Sequence, residues 1–499
     1  MNESDYERLA TSCDRLLAAA RSDRPRLAIG MLHVIHEHPS WLAQYRRVFD
    51  PAAAPIRERP PVRQARDAYR MLRGVRRAMA SGDRRAPLHG GPLDVLIVSR
   101  LTHDSQLAGT DDFYFGAMPG LLRERGASVQ VALIDHRAGP ASAAVDCGAG
   151  RMLLPASVPL RDEIAIWRQC AHTRATLFEE ARAARDPLDR RVAQLSAEQA
   201  LAATTVENLR LYARIRTLCE SLRPRNVLTT FEGDASERMI FLAARDSGAG
   251  SLCVGYQHTR LLPHSHAVRR MLGTPALPCD PDAVLTLGAE TQSMLERADR
   301  RDTRYIVYGS HRRWPDGSAA RASRAPSCLV IPDAEPSEHR MLFDFSRSCA
   351  RKLPGIRFVF RPHPAVNAEL RAPAGGMSGS LPANLRVDGV EPLATQAASA
   401  RCCLYRASSA VFHAVMAGAR PLHLLGAHEI PFDPLTAMPE GRSSVRSVED
   451  LARLAQETDW EGSDAARAAG NYCDRYISPV RPAALDELLA LRGARPGQR

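Results

Sequence analysis

Two hydrophobic periods alternate along this 499-residue chain. Short, nearly unbroken apolar runs occur at Asp94-Val95-Leu96-Ile97-Val98-Ser99, Val129–Ile134, Asn226–Thr230, Leu252–Tyr256 and Ala283–Leu287. Such runs predict strands buried on both faces of a parallel sheet. Between them lie stretches with apolar residues at helical spacing: Phe113–Arg125 closed by Gly126, a long one over Leu160–Leu222, and Ala235–Asp246. A second series of the same kind starts near residue 327. It has runs at Cys328–Ile331, Ile356–Phe360, Leu385–Val387, Cys402–Tyr405 and Pro421–Leu424, with helices over 335–352 and Ser409–Ala417. Strand, helix, strand repeated in this way predicts doubly wound parallel sheets.

The first 88 residues read differently. Helical spacing covers Tyr6 to Leu17 and again Leu27 to Phe49, and a Pro-, Ala- and Arg-rich stretch from Pro51 to Pro61 predicts a linker. The pattern therefore divides the chain into a helical extension (1–88), an α/β domain (89–312) and a second α/β domain with C-terminal helices (313–499). Two Rossmann-type domains facing across a cleft is the GT-B-like layout.

Composition changes this picture little. Apolar residues make up 45% and charged residues 25%, ordinary for a globular chain. Lys plus Arg exceeds Asp plus Glu by 67 − 56 = 11, mostly as arginine scattered through Ala-rich helices. Aromatic residues are only 5%, and no basic-aromatic interleaving marks a stacking platform, which argues against nucleic acid. The 11 cysteines have no C-x-x-C or framework spacing, so they are expected to be reduced. The acidic start, Met1-Asn2-Glu3-Ser4-Asp5, lacks the plan of a signal peptide, and no apolar run approaches the roughly 20 residues that span a bilayer. A cytoplasmic protein is expected, at the inner face of the membrane if attached at all.

The chemistry is concentrated where strands end, the edge at which open α/β sheets bind ligands. Glu232, Gly233 and Asp234 follow the run ending at Thr230. A carboxylate there can deprotonate an acceptor hydroxyl. Glu232 is preferred as the base and Asp234 is the reserve, because Asp234 at a helix start is also a natural N-cap. Gln257 and His258 follow the next run and are placed to contact a donor. In the second series, Arg361-Pro362-His363-Pro364 follows a strand. The prolines stiffen the turn, and Arg361 and His363 are groups that grip phosphate. Ser408 and Ser409 open the helix that ends at Gly418, which offers hydroxyls beside free amides at a helix start.

Other features count against competing chemistries. His258, His264 and His266 do not have the spacing of a closed zinc set, so no metal is expected. The one D-x-D, Asp280-Pro281-Asp282, precedes a strand and so falls on the wrong edge. No P-loop and no G-x-G-x-x-G follows a strand. His103, Asp104, Asp111 and Asp112, after the first strand, are expected to line the acceptor side.

Taken together, F-E-G-D-x-x-E-R, G-Y-Q-H, R-P-H-P and S-S before a helix resemble bacterial GT-B transferases of surface polysaccharide biosynthesis. The set is similar to the group that uses CMP-activated sugars, such as bacterial sialyltransferases and Kdo transferases. The resemblance covers about residues 93–430. It implies an inverting, metal-independent transfer to a glycan or lipid-linked glycan acceptor in capsule or lipopolysaccharide biosynthesis. Glu232 or Asp234 matches the base motif, His363 and Pro364 the His-Pro motif that contacts CMP, and Ser408 and Ser409 the phosphate-binding hydroxyls. The nucleotide sugar is a substrate, and no resident cofactor is implied. The chain departs from the sialyltransferase pattern in carrying Glu-Gly-Asp instead of two acids before the glycine. The R-x-H-P and S-S pair also occurs in CDP-glycerol polymer transferases. The alternatives are therefore a polyol-phosphate transferase or nucleotide-sugar epimerase on the same fold, or a non-catalytic nucleotide-binding assembly protein.

Overall fold

The computed structural model describes residues 3–20, 23–33, 48–49, 69–76, 79, 92–102, 104–136, 147–148, 150–262, 277–297, 303–312, 326–363, 380–426, 432–457 and 459–491. Two parallel sheets organise them. The first contains β1 (Val95–Leu101), β2 (Val129–Asp135), β3 (Arg151–Leu153), β4 (Asn226–Thr230), β5 (Leu252–Tyr256), β6 (Ala283–Thr286) and β7 (Arg304–Val307). The second contains β8 (Ser327–Ile331), β9 (Arg357–Phe360), β10 (Leu385–Val387), β11 (Cys402–Tyr405), β12 (Arg420–Leu424) and β13 (Ser443–Val445). The central strands β4, β5, β6, β8 and β11 are buried at every position. Strands rich in Val, Leu, Ile and Cys suit such a location.

The strand orders are β3-β2-β1-β4-β5-β6-β7 and β10-β9-β8-β11-β12-β13. In each sheet the chain moves outward from its first strand, then jumps to that strand's other side. The jump leaves a crevice between the carboxyl ends of β1 and β4, and an equivalent one between β8 and β11. Ligands of open α/β sheets bind at these switch points. The GT-B-like pair of Rossmann-type domains expected from the apolar pattern is present.

The long helical stretch is three helices, Leu160–Ala183, Pro187–Gln199 and Ala203–Leu222, inserted between β3 and β4. The break before the second is set by Asp186, whose carboxylate accepts from the amides of Leu188 and Asp189, with Pro187 at the first helical position. Residues 3–20 and 23–33 pack onto this layer. Tyr6, Leu9 and Cys13 are fully buried, Ser12 donates to Asp189 over 2.7 Å, and Asn208 donates to the carbonyl of Ala28 over 2.9 Å. Most of the expected second helix of the extension, and the expected linker from Pro51 to Pro61, lie outside the described residues.

The chain's last helices return to the first sheet. Beyond helix Asp464–Tyr476, the Ser478 amide donates to the carbonyl of Leu287 over 2.9 Å, and the Arg481 amide to that of Tyr308 over 2.7 Å. Tyr476 stacks on Phe412 of the second domain at 4.0 Å and donates through its hydroxyl to the carbonyl of Leu261 in the first. One helix thus fastens both domains.

One element differs from the pattern. The helix expected over Phe113–Arg125 begins at Met118. Asp112 captures the amides of Tyr114 and Phe115 and accepts from Ser99, holding this segment in a turn and delaying the helix.

Candidate functional site

The segment after β4 is built around its turn. Gly233 has φ +89°, a left-handed conformation suited to glycine, and it lets the chain swing from the strand into helix Ala235–Asp246. Asp234 caps that helix, its Oδ1 accepting from the Glu237 amide at 2.9 Å and from the Ser236 hydroxyl at 2.7 Å. Glu237 answers: its Oε2 accepts from the amides of Glu232 (2.8 Å), Gly233 (2.9 Å) and Asp234 (3.3 Å). This reciprocal capping box fixes the turn. Burial, with Asp234 and Glu232 nearby, pushes the Glu237 carboxyl well above its ordinary range.

Arg100, near the end of β1, reaches across the first switch point. It donates to Asp234 Oδ2 at 2.8 Å and to the Ser236 hydroxyl at 3.3 Å. Burial alone would raise the Asp234 carboxyl. Arg100, the Glu237 amide and Ser236 outweigh it and hold the group below its ordinary range. Asp234 is therefore a committed cap and ion-pair partner. The same carboxylates keep Arg100 firmly protonated despite its burial.

Glu232 is placed differently. Its Oε1 stands 3.2 Å from His258 Nε2, with about a fifth of the side chain (22%) exposed, against 7% for His258. Burial raises the Glu232 carboxyl. Asp234 and Asp333 add to the rise, against Arg100 and Arg260. His258 is pushed down to about 3 by burial, then by Arg312 and Arg100, so its ring is neutral near pH 7. Tyr114 meets that ring edge-on at 5.0 Å, and Arg312 lies 4.4 Å over the ring of Phe113. A carboxyl with a raised pKa, a neutral imidazole behind it and partial access to solvent can take a proton from a hydroxyl. Of the two carboxylates left open by the sequence, the geometry favours Glu232.

At the second switch point, Asp333 follows β8 and Ser408 and Ser409 follow β11. Asp333 accepts from the Ala334 amide at 2.6 Å and from Arg260 Nη2 at 2.9 Å. Arg260 follows β5, so this pair joins the two crevices. Ser409 occupies the N-cap position of helix Ala410–Met416 but has helical angles (φ −65°, ψ −16°) and makes no side-chain cap. Neither serine hydroxyl bonds to another described residue; Ser409 is partly exposed and Ser408 is almost buried. Ordinary N-capping does not account for them.

Three expected donor contacts change on this geometry. Gln257 is fully buried, its amide donating to the carbonyl of Thr259 and accepting from the Leu287 amide at 3.0 Å. It staples β5 to the turn after β6, and its complete burial keeps it from a donor. Arg361 folds back within its own domain, donating to the carbonyl of Glu391 and to Gln396 Oε1 at 2.9 Å. The guanidinium thus braces helix Leu393–Ser399, a structural use. His258 faces Glu232, so it belongs with the base.

His363 is half-buried after β9 and close enough to His339 to help depress that ring. Pro364 and His103 lie outside the described residues. Asp112 is the turn-former described above. Asp282 accepts from Arg245 and from the Cys253 amide, at 2.8 Å each, at the opposite edge of the sheet. Among the described residues no group of three or more His, Cys, Asp or Glu is arranged to hold a metal ion.

The sequence reading passed over Arg100, Tyr114, Arg260 and Asp333. A signal existed for two of them. Arg100 is a charge inside an otherwise apolar strand, and Asp333 follows a buried run as Glu232 does.

No family model matches the sequence, and no curated protein matches it. Solved structures do. The glycotransferase of kitacinnamycin is 15% identical, with 80% of this chain and 99% of that chain covered at a TM-score of 0.46. The calicheamicin glycosyltransferase CalG4 is 15% identical over 80% and 98%, at 0.44. The glycosyltransferase SnogD from Streptomyces nogalater is 16% identical over 80% and 100%, at 0.42. Identity and score are low in all three, and the case for a site rests on the residues themselves.

Proposed function

We propose that this chain is an inverting, metal-independent glycosyltransferase that moves a sugar from a CMP-linked donor to a surface-glycan acceptor. The observation that carries the reading is the pairing of two switch points. One holds Glu232, a carboxyl with a raised pKa beside a neutral imidazole. The other holds two unengaged serine hydroxyls at a helix start. Arg260 and Asp333 link them.

In the reaction, Glu232 takes the proton of the acceptor hydroxyl as that oxygen attacks the anomeric carbon. The bond from that carbon to the CMP phosphate oxygen breaks, and its electron pair leaves on the phosphate. Ser408, Ser409 and His363 donate to the departing phosphate, which is stabilisation where charge develops. Arg100 and the capping box hold the base-bearing turn rigid. The preference for CMP comes from the likeness of the His-Pro and Ser-Ser motifs to the CMP-sugar group, and the capsule or lipopolysaccharide setting from the same likeness.

The test is a thermal-shift screen with CMP, CDP, UMP and UDP, followed by product analysis with the matching nucleotide sugars. A ligand that binds only the native state raises the melting temperature. A selective rise with CMP and a new glycosidic product are expected. No response to any nucleotide would overturn the reading, and transfer of a polyol phosphate would replace it with that chemistry.

A further inference from the structure

Against the helical layer between β3 and β4, one short helix is mounted inside out. Residues 69–76 are helical, with residue 79 again helical, and the buried position among them is Gly74. A side-chain carbon there would collide with Glu163 and Arg210, so glycine is what lets the helix seat. The seat is already satisfied: Glu163 accepts from Arg210 at 2.9 and 2.6 Å and from the Trp167 indole at 2.8 Å. The large apolar residues point the other way. Tyr69 is 64% exposed, Leu72 56% and Met79 67%. Tyr69 and Leu72 share one helical stripe, which also carries Arg76, with Arg73 beside it.

A second pair of exposed apolar residues lies on the helix against which Gly74 seats. Leu160 and Ile164 are exposed, and their spacing puts them on the side of helix Leu160–Ala183 that bears Glu163 and Trp167. Of the nine large apolar side chains exposed among the described residues, six (Tyr69, Met71, Leu72, Met79, Leu160 and Ile164) belong to these two elements. Arg70, Arg73 and Arg76 stand among them, and no acidic residue occurs between 68 and 79. Beneath the helix a cavity of about 200 Å³ is lined by Arg70, Arg73, Arg210, Trp167 and Val206.

We infer that this face docks on an anionic lipid bilayer. An apolar stripe rimmed by arginines is the pattern of a helix that lies in the headgroup plane, its apolar side chains dipping inward and its cations on lipid phosphates. The inference is independent of the reaction proposed above.

Vesicle co-sedimentation of the full chain tests it. Binding is expected to equimolar phosphatidylcholine–phosphatidylglycerol vesicles and not to phosphatidylcholine alone, and to weaken as salt is raised. Two variants follow: Leu72→Glu and Arg76→Glu. Their side chains point outward, so melting temperatures should not change. Each variant should bind the anionic vesicles at least roughly tenfold more weakly, since each basic residue near such a surface contributes appreciably. The inference fails if the wild type ignores both vesicle types or binds them equally, or if both variants bind as it does. It also fails if Leu72→Glu splits a dimer on light scattering, which would make the face a contact between copies.

Discussion

The Arg260 guanidinium stands 2.9 Å from the Asp333 carboxylate, and this ion pair joins the carboxyl end of β5 in one sheet to that of β8 in the other. Both side chains are almost buried, 12% and 8% exposed. The contact lies between the two crevices and contributes to the electrostatics of Glu232 from both sides, Arg260 lowering its pKa and Asp333 raising it.

Breaking the pair from either side leaves a buried charge without its counterpart. Arg260→Ala and Asp333→Asn should each destabilise the protein by about 2–4 kcal/mol, as removal of one partner of a buried pair does. The double variant should lose clearly less than the sum of the two, because the unpaired charge disappears with its partner. Denaturant melts of the four proteins in the cycle measure this. Strict additivity would mean that the pair contributes nothing across the domains.

Glu232 and Asp234, two residues apart, should fail in different ways. Glu232→Gln keeps the amide that Glu237 holds and removes the base, so transfer should fall by about 10²–10⁴-fold with the nucleotide thermal shift intact. Asp234→Ala removes an N-cap, which costs about 1 kcal/mol by itself, and leaves Arg100 without its carboxylate. Its first symptom should be a lower melting temperature. If Glu232→Gln retains full turnover, the base lies elsewhere.

Ser408→Ala and Ser409→Ala probe the other crevice. Neither hydroxyl bonds to another described residue, so the melting temperature without ligand should stay unchanged. Hydrogen bonds to a charged phosphate contribute about 1.5–3 kcal/mol, so each loss should weaken nucleotide binding by roughly tenfold or more. Isothermal titration with the nucleotide that responds in the screen supplies the number. Unchanged affinity in both variants would remove the helix start from the donor site.

The sequence made the central strands legible because a strand buried on both faces has to be apolar throughout, as Val254 and Leu329 illustrate. The edges were not legible for the opposite reason. Arg151-Met152-Leu153 and Ser443-Ser444-Val445 form strands of three residues with one face partly open, and no apolar run marks them. The site divides along a similar line. Polar residues at strand ends could be found by position, but their partners could not. Gln257 and Glu232 occupy equivalent places in the pattern, yet one is sealed between β5 and β6 while the other keeps an open side. That difference depends on which strand lies next door, a fact of topology. Asp234 is fixed by Arg100, 134 positions earlier in the chain.

His339 should make the protein's stability depend on acidity in a way one substitution removes. It is fully buried in helix Pro336–Lys352, its ring meets Phe360 edge-on at 4.9 Å, and neither ring nitrogen has a hydrogen-bond partner. Burial, with His363 nearby, pushes its pKa from 6.5 down to about 4. The sign follows. As pH falls below 6.5 the unfolded chain takes up a proton at this histidine, and the folded one does not until about 4. Stability is therefore full above 6.5 and is lost through that window, by up to about 1.4 kcal/mol per pH unit. His258, pushed to about 3, adds a loss of the same sign. Phenylalanine fits beside Phe343 and Phe360 and carries no proton, so His339→Phe should melt like the wild type above pH 6.5 and progressively higher than it towards pH 4. Melting temperatures of the two proteins across that range decide the matter. Parallel curves would mean that His339 is already charged, or solvated, in the folded state.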